Sequence, residues 1–397
     1  MIPRAPEQAW QYCRVALLAL VLLPAYSHSY SYKKKALPEP VKLSVRLQAL
    51  FIKTKLVCFG RYALEVPQEA ELIPSNGDIN VISGGLDALK LRVAADIAKI
   101  KEKDKTAEIT YDGEGPIKNS WQVRYYDDDT AKKYGLHFFN TYVNKGDLTF
   151  VLGDAVGEKD TEEMTALRQA VHAKNVRPRM PDEVPDEPGY CFRHGFMAEN
   201  LYAEQEMSNA GIYLPSLPDV TFSISSNKDA YADTPAAEFE KSQRGELSLL
   251  ARIAGAKKDQ GLSYPSRTVL REGKRDVNHW HGEESLIRRK DGVHDFEWAF
   301  VGTPKDVANP SEFGAVMFTK VEHNAVGAAK VASVSDDEAV ALWDKLLSGL
   351  KFRVKVPGAP EGSYVSHLPK PVKPAVEPAG DILPGPTAST ASKPAKP

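Results

Sequence analysis

The sequence predicts an α+β protein of two similar domains, each a mainly antiparallel sheet with helices packed on it. Three observations carry this reading. At 397 residues the chain exceeds one average domain. Residues 177–188 hold Pro178, Pro181, Pro185 and Pro188 among acidic side chains, which fits neither a helix nor a central strand. On either side of that stretch the periodicities come in one order: strand, helix, hairpins, closing helix. The expected division is a leader at 1–27, an N-terminal α+β domain at 42–176, a linker at 177–188, a C-terminal α+β domain at 189–356 and a disordered tail at 357–397.

The elements follow one by one. Val57 to Tyr62 reads as an opening strand, and Tyr190-Cys191-Phe192 opens the second half in the same way. Leu86, Leu89, Val93, Ile97 and Ile100 form one apolar stripe at helical spacing. Thr234-Pro235 starts the corresponding helix, with Phe239, Leu250 and Ile253 behind it. Strands at 121–125, 136–143 and 148–151 in the first half have their counterparts at 279–288, 294–301 and 315–321 in the second. The Asp291-Gly292 pair between two of them is a hairpin turn, because both residues tolerate positive φ. Asp160 with Glu163, and Ser335 with Glu338, resemble capping boxes ahead of the closing helices. After Leu368 the chain has almost no large apolar residue, and ten of its 28 prolines lie from Pro357 onward, so that tail is expected to stay outside any core.

The N-terminus bears on compartment. Arg4 and Arg14 precede an apolar run from Val15 to Leu23, then Pro24 and Ala25-Tyr26-Ser27. This is the layout of a secretory signal peptide, and the run is too short for the ~20 residues of a spanning helix. An uncleaved anchor is the alternative. Export to the periplasm, with no stable membrane insertion after cleavage, is the expectation. Beyond the leader stand two cysteines, Cys58 and Cys191, which either form one disulfide or pack as separate thiols. A net charge of -2 gives no footing for nucleic acid, and the locally basic run from Lys33 to Lys55 reads as a solvated segment.

Catalytic motifs do not emerge. The sequence has no Gly-x-Ser-x-Gly elbow, His-Glu-x-x-His or phosphate-binding Gly loop. His279, His281 and Glu283 would share a face of a strand and could approach a metal, but half-exposed strands show that alternation without one. His194 near Cys191 suggests a thiol and base only by adjacency, and Asp127-Asp128-Asp129 lacks EF-hand spacing. No catalytic, cofactor or metal residue is assigned, and the chain is not expected to be an enzyme. Ile212, Tyr213, Leu214 and Leu217, in a segment with Pro215 and Pro218, either cap a core or offer apolar anchors to a partner.

Cys58-Phe59-Gly60-Arg61-Tyr62-Ala63-Leu64-Glu65-Val66-Pro67 resembles the opening motif of immunity proteins that neutralise type VI secretion phospholipase effectors. Gly189-Tyr190-Cys191-Phe192, the segment Pro218 to Ile224, Gly282-Glu283-Glu284 and Phe296-Glu297-Trp298 with Gly302 are similar to their C-terminal domain. The resemblance covers roughly Lys55 to Val354; the Pro-rich tail departs from it. It implies a periplasmic protein whose two domains grip a lipase effector and hold it closed without chemistry of their own. An exported lipid- or small-ligand-binding protein, which needs an apolar cavity between domains, is the first rival. A metal-dependent envelope hydrolase built on His279 and His281 is the second.

Overall fold

The opening hairpin sets the plan. In a computed structural model that describes residues 41–74, 79–157, 160–199, 206–320 and 329–368, the short helix α1 (Val45–Leu50) leads into β1 (Thr54–Phe59) and β2 (Tyr62–Pro67). The stretch read as one strand, Val57 to Tyr62, is thus the tip of a hairpin that turns at Gly60-Arg61. Gly60 has φ +52°, and a Cβ there would lie 2.0 Å from the Ser208 Oγ, so both backbone and space require glycine. The expected leader at 1–27 lies outside the described residues, as does the tail from 369 on.

The first half continues with β3 (Glu71–Pro74), β4 (Asn80–Ser83), α2 (Leu86–Lys103), β5 (Glu108–Glu114), β6 (Ser120–Tyr126), α3 (Asp129–Tyr134), β7 (Phe138–Lys145), β8 (Leu148–Ala155), α4 (Glu162–Asn175) and β9 (Val176–Pro178). Its sheet is antiparallel, ordered β4-β8-β7-β6-β5. Neighbouring residues of a strand face opposite ways. Tyr142 of β7 therefore packs under Leu89 and Val93 of α2, and Val143 lies among Phe150, Leu152 and Ala173 on the α4 side. This sheet is covered on both faces.

The second half repeats the order: β10 (Tyr190–Phe192), β11 (Gly195–Met197), β12 (Met207–Tyr213), β13 (Val220–Asn227), α5 (Ala236–Gly245), α6 (Leu249–Gln260), β14 (Arg267–Val277), β15 (Trp280–Arg289), β16 (His294–Val301), β17 (Glu312–Thr319), α7 (Asp336–Ser348) and β18 (Leu350–Phe352). Its sheet runs β14-β15-β16-β17-β13-β12-β3. In each half a four-strand meander ends beside the strand that precedes the helices, β4 in one and β13 in the other. The fold is α+β, as the periodicities indicate.

The halves exchange their ends. β18, from the end of the chain, pairs with β2, while β9, from the end of the first half, pairs with β11. β3 leaves its own half and extends the seven-stranded sheet beside β12. Tyr62 of the opening hairpin stacks on Phe313 and Phe352 and shares a 2.9 Å hydrogen bond with Ser226, deep in the second-half core. That core is filled by Trp280, Trp298 and Trp343, all fully buried.

Three expectations need correction in detail. Thr161, not Asp160, caps α4 by accepting from the Met164 amide, and Asp160 instead pairs with Arg168. The Ser335–Glu338 capping box on α7 is present on both sides. Residues 177–188 form no loose tether, because Arg179 and Val184 are buried and Arg353 draws in the carbonyls of Pro185, Glu187 and Gly189. Residues 357–368 also join the body: Ser363 is buried, Tyr364 bridges to Phe352, and Leu368 packs against the cluster around Cys58. Their apolar side chains suffice for this, so among the described residues the tail begins later than Pro357.

Candidate partner-binding surface

The two halves meet at a disulfide. Cys58 of β1 and Cys191 of β10 are bonded, their Cα atoms 5.9 Å apart, and the Gly60 and Cys191 backbones exchange hydrogen bonds of 2.7 Å. Cys58 and Cys191 occupy equivalent places in the two opening hairpins, so one bond ties the repeat units at their shared edge. The same equivalence holds for two arginines. The Arg353 amide donates to the Arg61 carbonyl, and the Arg179 amide to that of His194. Each guanidinium is then buried among backbone carbonyls: those of Pro185, Glu187 and Gly189 for Arg353, and those of Glu183, Phe192 and Gly195 for Arg179.

Beside the disulfide lies a cleft of about 1070 Å³, bounded by Lys55, Leu56 and Leu72 on one side and by Asp182, Arg193 and His194 on the other. Burial, with the nearby Arg193 and Arg179 cations, pushes the His194 imidazole below its ordinary value. That shift favours the neutral imidazole, and the would-be thiol partner of His194 is locked in the disulfide. The cleft walls mix charged side chains with the apolar Leu56, Val57, Leu72, Val365 and Leu368.

The histidine cluster does not converge. His279 sits in the turn before β15, where its Nε2 is 3.0 Å from the Ala308 carbonyl and burial lowers its pKa. His281 is exposed beside Asp276, 2.9 Å away, and Glu283 accepts from the Leu250 amide at the start of α6. Among the described residues no group of three or more His, Cys, Asp or Glu side chains could hold a metal ion. In the acidic run, Asp128 caps α3 and Asp127 pairs with Lys103.

Of the four apolar residues considered as partner anchors, Ile212, Leu214 and Leu217 are only 2%, 0% and 3% exposed. They seal the core and cannot reach a partner. Tyr213 alone points the other way, onto the outer face of the seven-stranded sheet. That face is where the sequence reading missed a surface. α6 lies over its β15–β16 end, through Leu250 to Glu283 and Arg252 to Glu297. Beyond it, Ile73, Val316 and Phe318 are 50%, 37% and 39% exposed. The signal was present in β17, whose Val316-Met317-Phe318 is apolar at both parities, although only one parity faces the core.

The sequence model described as the Tle cognate immunity protein 4 N-terminal domain matches residues 55–184, and that of the C-terminal domain matches residues 183–355. The chain belongs to the Tle cognate immunity protein 4 family. Solved structures agree in fold. The immunity protein TplEi of T6SS from Pseudomonas aeruginosa, complexed with "L" peptide, is 22% identical, with 76% of this chain and 98% of that one covered and a TM-score of 0.58. The Tle4–Tli4 complex gives 24% identity, coverage of 76% and 97%, and a TM-score of 0.59. Among curated protein sequences none matches at a comparable level. The two family matches overlap at residues 183–184, within the Pro-rich stretch, so this immunity protein carries both domains in one continuous order even though β3, β9 and β18 cross between them in space.

Proposed function

We propose that this immunity protein binds a lipase-class effector of a type VI secretion system and holds it inactive in the periplasm, acting stoichiometrically and without chemistry of its own. The observation that carries the reading is the match of both immunity-domain models, in order and without a gap, across residues 55–355. Two features support it. The Cys58–Cys191 disulfide suits an oxidising compartment, which agrees with the leader expected at 1–27. Among the described residues, no helix is long and apolar enough to cross a membrane. Inhibition of this kind needs only that the complex be favoured over the free, active effector, by a margin set by binding energy.

The test is survival of cells that make, in their periplasm, the lipase encoded beside this gene. Co-expression of the immunity protein is expected to restore growth, and a His279→Ala/His281→Ala variant is expected to protect equally well. Equal killing with and without the protein overturns the proposal. Loss of protection in a folded double-histidine variant would favour the metal-dependent hydrolase instead.

A further inference from the structure

We infer that the edge of β1 beside the cleft is closed by the chain's own C-terminal segment, residues 369–373, added outside it as a short strand. The first ground is the edge itself. β1 stands at the end of the sheet β1-β2-β18. The Lys53 carbonyl accepts from the Gln68 amide on the β2 side, and backbone direction alternates along an extended chain. Lys55, Val57 and Phe59 therefore turn their amides and carbonyls to β2, while Thr54, Leu56 and Cys58 turn theirs away. Past Gly60, which bonds to Cys191, those outward groups have no hydrogen-bond partner among the described residues. Thr54 and Leu56 line the cleft, so the groups waiting for a strand border a space that can hold one.

The second ground is where the chain goes. After β18, Ser363 and Val365 bond to the Phe352 backbone, and Leu368 then packs with Leu56 on the cluster around Cys58 and Cys191. Residues 369–397 follow, so the next residues start beside the open edge. The first half makes the same passage: after β9 the chain sends Val184 into that cluster and then becomes β10. The third ground is the order Pro369-Lys370-Pro371-Val372-Lys373-Pro374. Proline cannot donate to a ladder, but only alternate residues of an added strand face its neighbour. With Pro369 and Pro371 outward, Lys370 and Val372 face β1 with amide and carbonyl both available. Pro374 falls in the facing phase and ends the pairing. The outward prolines leave the new edge poor in donors, which blunts it against other chains. A composition that cannot join a core thus suits an outermost strand.

The test is site-resolved hydrogen exchange on the mature, disulfide-bonded chain, compared with one that ends at Leu368. The Leu56 amide is expected to exchange at least about tenfold faster in the shortened chain, while the Val57 amide, which faces β2, keeps its rate. In the full chain, Val372→Pro removes a facing donor and is expected to reproduce that acceleration. Lys373→Pro puts a proline at an outward position and is expected to leave the Leu56 rate as it was. If shortening speeds Val57 as much as Leu56, β1 itself has loosened, and the two proline variants decide. An unchanged Leu56 rate in the shortened chain overturns the proposal, and so does an equal effect of the two proline substitutions. Protection of Leu56 that is lost on dilution, in step with a dimer seen in sedimentation, gives the edge to a second copy and also overturns it. No effector enters the measurement, so its outcome is independent of the immunity reading.

Discussion

The first-half sheet is packed on both faces, between α2 on one side and α4 on the other. The second-half sheet, built on the same order of elements, holds the larger core under α7, while Ile73, Val316 and Phe318 on its other face stay exposed among the described residues. β3 accounts for part of the difference. By leaving its own half to pair with β12, it widens one sheet to seven strands and trims the other to five. The wider sheet then outruns the 12 residues of α6. The repeat thus yields one unit that closes on itself and one that presents a surface. It also yields a body that does not divide at residues 177–188, since β9 and β18 each complete the other half's hairpin.

The strongest way to break this comparison is to cut the tie between the halves. Cys58 and Cys191 are 133 residues apart in sequence, and the chain-entropy model gives such a loop about 4–5 kcal/mol as an upper figure. The Cys58→Ser/Cys191→Ser variant is expected to lose several kcal/mol of that in urea unfolding, with the fold retained. An unchanged midpoint would mean that the exchanged strands alone hold the halves together.

The paired arginines come next. Replacing Arg353 or Arg179 by Met leaves several buried carbonyls without a donor, at about 1–3 kcal/mol for each group that finds no new partner. Both variants should be destabilised by roughly 2–4 kcal/mol overall and should still unfold in one calorimetric transition, because each arginine stabilises strands from both halves. Two separate transitions would show that the halves are independent.

The smallest effect concerns α1, where Arg46 and Ser44 donate to Glu338 at the start of α7. Chiefly through the Arg46 hydrogen bond, the Glu338 carboxyl is held at about 2 against an ordinary 4.5. A depressed carboxyl stabilises the fold above its unfolded value, and the contribution is lost as pH falls from about 4.5 through about 2. Arg46→Ala should therefore cost something at pH 7 and progressively less in that acid window. Arg46 is half exposed, so screening limits the cost to about 1 kcal/mol or less.

What the sequence discloses and what it hides divide along local and non-local lines. The Ser335–Glu338 box and the Asp291-Gly292 turn are set by residues within four of each other, and the structure has both, although only Gly292 of that turn takes a positive φ. The stripe at Leu89 and Val93 is equally local. The exchange of β3, β9 and β18 is not, because an edge strand of three or four residues carries no mark of its partner. Ile212, Leu214 and Leu217 were ambiguous for the same reason: only register tells that Ile212 lies opposite Phe222 and Leu72, inside the core, while Tyr213 points outward. Arg179 and Arg353 each directly follow a closing strand, an internal match legible only once the repeat is aligned.

The claim that this immunity protein works by stoichiometric occupation is tested most directly by titrating it into the neighbouring lipase, purified at a concentration well above the dissociation constant. The account predicts that lipase activity falls linearly and ends near zero at one equivalent, with no turnover of lipid by the immunity protein itself. Activity that persists undiminished at a large excess of folded, disulfide-bonded protein would contradict it.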